Sequence, residues 1–176
     1  MHWDASLTDE LLDRVKGNEY WSDVIKRWAA PSGGTFSVHL AVFVEPYLQY
    51  VIDEKKTIES RFSVVRFAPY MRVEKGDIIL LKRTGGPIVG LCEVNHVWFY
   101  HLDVSSWTTI RRDFAEALCA QDPSFWEQRA KAEYATLMRI HHVFPIEPFF
   151  VPKHDRRGWV VLTCNNRERL DTLPGL

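Results

Sequence analysis

The stretch from residue 54 to residue 61 reads Glu54-Lys55-Lys56-Thr57-Ile58-Glu59-Ser60-Arg61. It places a lysine, a glutamate and an arginine within six positions, next to apolar residues of the kind that build a core. Charges beside buried residues cost desolvation free energy unless they are paired or used for binding. If residues 57–61 form a strand, Thr57, Glu59 and Arg61 share one face. The stretch therefore predicts a charged cleft, with Glu59 and Arg61 paired across that face.

The chain on either side of this stretch alternates between short strands and short helices. Apolar runs and turn residues predict strands at 36–44, 57–61, 78–83, 88–100, 134–145 and 158–163, and helices at 46–52, 105–120 and 123–131. Asn95 and His96 are expected to mark a bulge in the long fourth strand. Short strands with helices inserted between them favour an α+β domain with a curled sheet. The pattern alone does not choose between a barrel and an open sheet.

Residues 1–35 form a helical hairpin in this interpretation, ahead of a main domain at 36–176. The first helix covers 6–16, and Asn18 caps a second helix whose apolar residues are Trp21, Val24, Ile25 and Trp28. We expect Trp21 and Trp28 to pack against the main domain. The alternative is that the hairpin offers a surface to a protein partner.

The charged stretch resembles the ASCH family, whose pattern Gly-x-Lys-x-x-Glu-x-Arg is matched here by Lys56, Glu59 and Arg61. Glu54 stands at the glycine position, which is a departure. The flanks agree: an apolar strand, a Pro46-aromatic helix start, and a Lys-Gly-Asp turn into the next strand. The resemblance covers about residues 36–162. It implies a PUA-like fold, a small β-barrel with helices inserted at its mouth.

The three charged side chains suit a nucleotide. Lys56 supplies a point charge for phosphate, Glu59 accepts hydrogen bonds from exocyclic amines, and Arg61 forks onto phosphate or a base edge. Residues 55–75 contain six Lys or Arg against two Glu, a local charge of +4 in a chain whose net charge is −1. We therefore predict that the cleft binds RNA or a modified nucleoside.

A hydrolase using the same cleft is the alternative that the resemblance implies, as a ribonuclease or as an amidohydrolase of N4-acetylcytidine. Lys56 would then be the base, with Lys55 as the cation that lowers its pKa. Glu59 stands where the amidohydrolase branch has a threonine nucleophile, so that role is in doubt. Thr57 and Glu116 are weaker catalytic candidates. Whether the protein is an enzyme stays open at this stage.

The remaining signals predict neither a cofactor nor a metal site. Cys92, Cys119 and Cys164 are widely spaced, which indicates reduced thiols in a cytoplasmic protein. His141 and His142 are consecutive in a strand and are expected to point to opposite faces, so they would not share a metal. Three acids (Asp103, Asp113 and Glu116) could hold a nuclease metal, but a solvated helix face explains them equally well. No apolar run is long enough to cross a membrane.

Overall fold

The computed structural model of the protein describes residues 5–30, 35–151 and 156–163. The helices are α1 (Ala5–Arg14), α2 (Glu19–Ala29), α3 (Tyr47–Ile52), α4 (Val104–Phe114) and α5 (Pro123–Glu127). The strands are β1 (Val38–Phe43), β2 (Ile58–Ser63), β3 (Ile78–Arg83), β4 (Ile88–His101), β5 (Tyr134–Phe149) and β6 (Trp159–Thr163).

The six strands form one curled sheet in the order β2-β5-β4-β3-β1-β6, shaped as a half-barrel. Strands β1 and β3 are parallel, and the other pairs are antiparallel. The long β4–β5 ribbon forms the centre, so β2 and β6 become the two edges. The predicted α+β class with a curled sheet is confirmed, and the charged stretch lies at the edge strand β2.

The N-terminal helices pack their apolar faces onto the sheet. The Asn18 side chain caps α2 by accepting from the Trp21 backbone N–H at 3.0 Å, as predicted. Trp21 is 2% exposed and shares a core with residues of β1, β3 and β4, and Trp28 packs against the same core. Both tryptophan rings therefore pack in or against the hydrophobic core. A protein partner at this hairpin stays a prediction, as does the domain boundary at residue 35. Residues 31–34 lie outside the described residues.

Helix α4 begins earlier than the sequence suggested. Asp103 is its N-cap: the Asp103 carboxylate accepts from the Ser106 N–H at 2.7 Å, and the Ser106 hydroxyl accepts from the Asp103 N–H. Strand β5 also runs on to Phe149, beyond the predicted end at 145. Both differences arise because a local polar residue or a proline marks a boundary only when the tertiary pairing permits it.

Three register shifts interrupt the β4–β5 ribbon: one lies between Ile88 and Gly90, and the other two are bulges of one residue each. In β4, Val94 and His96 pair with consecutive residues of β5, so β4 carries one extra residue between them, which confirms the predicted bulge. In β5 the partners of Leu91 and Glu93 are Phe144 and His141, so β5 carries one extra residue there.

The bulge in β5 overturns one prediction from the sequence. His142 adopts a left-handed backbone with φ of 49°, and this breaks the alternation of the strand. The rings of His141 and His142 consequently stack on one side, with centroids 4.2 Å apart. The expectation that they point to opposite faces was wrong.

Cys92 is a buried free thiol and Cys119 a partly buried one; Cys164 lies outside the described residues. Among the described helices, none is both long and apolar enough to cross a membrane.

Candidate functional site

A cleft of about 360 Å³ opens beside the edge strand β2, between β1, α3 and α5. It is lined by Val42, Phe43, Val44, Tyr47, Lys56, Glu59, Ser60, Arg61, Phe62, Phe125, Gln128 and Arg129. Lys56, Glu59 and Arg61, the three residues predicted to bind a nucleotide, thus share one cleft with four aromatic rings. Three cations against one carboxylate give this lining a net positive charge.

Lys56 is buried at the start of β2, with 3% of its side chain exposed. Its Nζ lies 3.1 Å from Glu59 Oε2 and donates a hydrogen bond to the Ile58 carbonyl. Burial lowers the pKa of Lys56, and the attraction of Glu59 opposes this without cancelling it. The predicted cationic neighbour has no such part, because Lys55 is exposed and pairs with Asp53 at 3.1 Å.

Glu59 links the two cations. Its carboxylate is 5% exposed, and while one oxygen faces Lys56, Oε1 lies 2.9 Å from Arg61 Nε. The Nε–H bond is not aligned with that oxygen, so the contact is an ion pair without a hydrogen bond. The predicted Glu59–Arg61 pair is therefore present, and Lys56 extends it to a triad.

Arg61 also bridges the two ends of the curled sheet. From β2, its Nη1 donates to the carbonyl of Val42 at 3.1 Å and to that of Gly158 at 3.2 Å. The guanidinium carbon lies 5.0 Å from the centroid of the Phe43 ring and 5.3 Å from that of Trp159. Arg61 is thus both part of the cleft and the side chain that connects β2 to the β1–β6 edge.

Arg129 is a lining residue that the sequence analysis missed. Its guanidinium carbon lies 3.8 Å from the centroid of the Phe125 ring, and its Nη1 donates to the Phe125 carbonyl at 2.6 Å. Burial lowers the pKa of Arg129. The i, i+4 spacing of Phe125 and Arg129 is the only local signal of this pair, and nothing in it points to a cleft 70 residues away in the chain.

Other predicted residues do not join the cleft. Thr57 precedes β2, is exposed, and is not among the lining residues that the structure describes. Glu116 is exposed in the turn after α4 and is likewise outside the lining. The two aspartates considered with Glu116 make local interactions: Asp103 caps α4, and Asp113 forms an ion pair with Arg112 at 2.6 Å.

A second cleft, of about 480 Å³, lies on the other side of Arg61. Its lining includes Phe67, Tyr70, Arg157 and Trp159, and Phe67 is 70% exposed. Arg61 and Phe62 line both clefts.

The curled sheet with its inserted helices defines an ASCH-like, PUA-like fold, as the resemblance implied, preceded by a helical extension. The solved structure of ASCH from Zymomonas mobilis is similar with a TM-score of 0.52 and 15% identity, over 63% of this chain and 71% of that chain. Two point mutants of the same Zymomonas protein are similar at 14% and 13% identity, with TM-scores of 0.51 and 0.53 and coverage of 64% and 65% of this chain and 74% and 75% of theirs. No family model and no curated protein matches the chain.

Proposed function

We propose that the protein binds RNA or a modified nucleoside in the cleft lined by Lys56, Glu59 and Arg61. The observation that carries this proposal is the buried triad, in which one carboxylate lies between two cations at 3.1 and 2.9 Å. Such an arrangement is costly for stability alone, because replacing buried ion pairs by apolar groups is often neutral or stabilising. A ligand that uses the charges accounts for their presence.

The chemistry of the lining fits a nucleotide better than a purely apolar ligand. Arg61 and Arg129 bring guanidinium groups that bind phosphate or a base edge, and Glu59 offers carboxylate oxygens to an exocyclic amine. Tyr47 and Phe62, which are both partly exposed, supply rings on which a base can stack.

The second cleft supports an oligomer rather than a lone nucleoside as the preferred ligand. It continues from the first cleft across Arg61, and it carries the exposed ring of Phe67 together with Tyr70 and Trp159. A splayed strand would place one base in each cleft and its linking phosphate near Arg61. This division follows the way single-stranded nucleic acids bind, by stacking bases along a positively charged path.

A hydrolase is the second candidate, and the lowered pKa of Lys56 favours it. A buried lysine whose pKa is lowered releases its proton more readily and can then act as a general base. Glu59 occupies the position of the expected nucleophile and is held by both cations, so it would serve as an electrostatic partner. The proposal for binding does not depend on turnover.

The test compares Lys56→Ala and Lys56→Arg with the matched control Lys55→Ala, whose lysine is adjacent in sequence but exposed and paired with Asp53. Binding of a labelled single-stranded RNA oligomer is followed by fluorescence anisotropy, and turnover is assayed on N4-acetylcytidine and on the oligomer. We expect Lys56→Ala to weaken binding about tenfold or more, with Lys56→Arg retaining much of it and Lys55→Ala unchanged.

The same variants separate the two candidates. Arginine keeps the positive charge but cannot act as a base, because its pKa stays above about 12. Turnover by the wild type that is abolished in both Lys56 variants would establish the hydrolase. Oligomer binding that is equal in wild type and Lys56→Ala would refute a nucleotide site in this cleft.

A further inference from the structure

The bulge in β5 brings three metal-binding side chains together on one side of the β4–β5 ribbon. Glu93 Oε1 lies 3.5 Å from His141 Nε2, and Glu93 Oε2 lies 3.8 Å from His142 Nδ1. One ligand atom from each of the three residues lies within 4.8 Å of the other two. Among the described residues, this is the one group of three or more such side chains. It shares no residue with either cleft.

The protein leaves the polar atoms of this cluster incompletely satisfied. His141 Nε2 is buried and has no hydrogen-bond partner among the described residues, and its separation from Glu93 is too long for one. A buried polar atom without a partner costs free energy, so its persistence suggests a missing ligand. The left-handed backbone of His142 has a further free-energy cost, and His142 is the residue that brings the two rings to the same side.

We propose that Glu93, His141 and His142 bind a divalent transition-metal ion of the zinc class. Two imidazoles and a carboxylate are an established donor set for this class of ion. Four-coordinate zinc has bonds of about 2.0–2.2 Å, which requires ligand atoms about 3.3 Å apart. The two histidines contact different oxygens of Glu93, at 3.5 and 3.8 Å, and one ligand atom from each residue lies within 4.8 Å of the others. The ligand atoms would therefore move closer together by up to about 1.5 Å when the ion binds.

Tyr20 on helix α2 completes the surroundings of the ion. Its hydroxyl donates to Glu93 Oε2, and its ring meets the edge of His142 with centroids 4.5 Å apart. Tyr20 is therefore a positioning residue that orients the metal-binding carboxylate.

The position of Tyr20 connects the metal site to the N-terminal hairpin. Glu93 belongs to β4, the two histidines to β5, and Tyr20 to the N-terminal hairpin, so the site lies where the hairpin meets the sheet. A shallow pocket lined by Asn18, Tyr20, Trp21 and His142 opens beside it and leaves room for a water molecule as fourth ligand. Metal binding should consequently fasten the hairpin to the sheet.

The experiment titrates the metal-stripped, tag-free full chain with Zn²⁺ by calorimetry. We expect one equivalent to bind, and His142→Asn and His141→Gln each to weaken binding by about 100-fold or more, because even outer partners of metal ligands contribute 10–100-fold. Asparagine tolerates the left-handed backbone at position 142, so this variant keeps the bulge. The matched control is His96→Gln, an exposed histidine on the same ribbon, which should bind zinc as the wild type does.

Two further measurements keep the proposal testable if a variant folds poorly. Co²⁺ bound to the wild type should give the visible absorption of a four-coordinate nitrogen and oxygen site. Tyr20→Phe should keep that spectrum while weakening Zn²⁺ binding about tenfold, as expected for a positioning residue. Absence of zinc binding by the wild type at millimolar metal, or equal affinity in wild type and both histidine variants, would overturn the site.

Discussion

Replacing Glu59 by glutamine removes the only carboxylate of the triad while keeping its shape. The Lys56–Glu59 pair is almost fully buried, at 3% and 5% side-chain exposure, whereas Arg61 is 21% exposed and keeps its bonds to two carbonyl groups. Breaking a buried pair from one side costs about 3–5 kcal/mol, and a partly hydrated pair contributes less than about 1 kcal/mol. Because the amide oxygen still accepts from one cation, we expect a loss near the lower end, about 3 kcal/mol.

This loss of unfolding free energy is large enough to be measured as a shift in Tm. For a domain of this size, about 3 kcal/mol corresponds to a fall in Tm of about 6–12 °C. Thermal and urea unfolding of the wild type, Glu59→Gln, Lys56→Met and the double variant form a double-mutant cycle. The double variant should recover at least about 1 kcal/mol relative to the sum of the single changes, because it no longer buries an unpaired ammonium group.

Two results would refute this reasoning. A Tm of Glu59→Gln within about 1 °C of the wild type would mean that the carboxylate contributes no net stability to the folded protein. Additive single changes would mean that Lys56 and Glu59 are not coupled, in which case Lys56 is already neutral in the folded state. Oligomer binding, measured on the folded variant at the same temperature, tells whether the charge is also needed by the ligand.

Three further outcomes follow from the same contacts. Raising salt should weaken oligomer binding, with the slope of log K against log salt steeper by about 0.7 for each phosphate neutralised; a flat response would contradict a charged path through the clefts. Removing residues 1–35 should lower the Tm and increase dye binding, because the sheet face under Trp21 becomes exposed; an equally stable monomer would show the hairpin to be a free appendage. Burial lowers the pKa of Lys56 in the folded state below its unfolded value of about 10.4. Between these two pKa values the unfolded chain binds more protons than the folded chain. The wild type should therefore gain stability relative to Lys56→Met as the pH rises through that window. A difference in unfolding free energy that is constant with pH would contradict this.

The features that could be predicted from the sequence are those that depend on interactions between residues close together in the chain. Asn18 as a cap and the Glu59–Arg61 pair both follow from spacings of two or three residues, which strand and helix geometry fix. The N-terminal hairpin and the α+β class followed from apolar periodicity in the same way. Burial of Lys56 was not predictable, because the cleft that it lines is also built from Phe125 and Arg129, about 70 residues further along the chain.

The missed features all depend on register or tertiary contact. Arg129 enters the cleft through the way α5 packs beside β2, which no local pattern encodes. The bulge at His142 reverses the facing of one residue, and a one-residue change of register is invisible to a rule that assumes strict alternation. Arg61 was expected to pair with Glu59 and to bind a ligand, but its two carbonyl partners, which belong to segments 19 and 97 residues away in the chain, were not expected.

The bridge made by Arg61 has a consequence for how the protein is made. Gly158 and Trp159 are synthesised about a hundred residues after Lys56 and Glu59, which is several seconds later at ordinary rates of translation. Until β6 is in place, a nascent chain holds the charges of the site without the contacts that shape it. The cleft is therefore completed only when β6 joins the sheet, so a partly made chain, or one cleaved before residue 158, should be unable to bind.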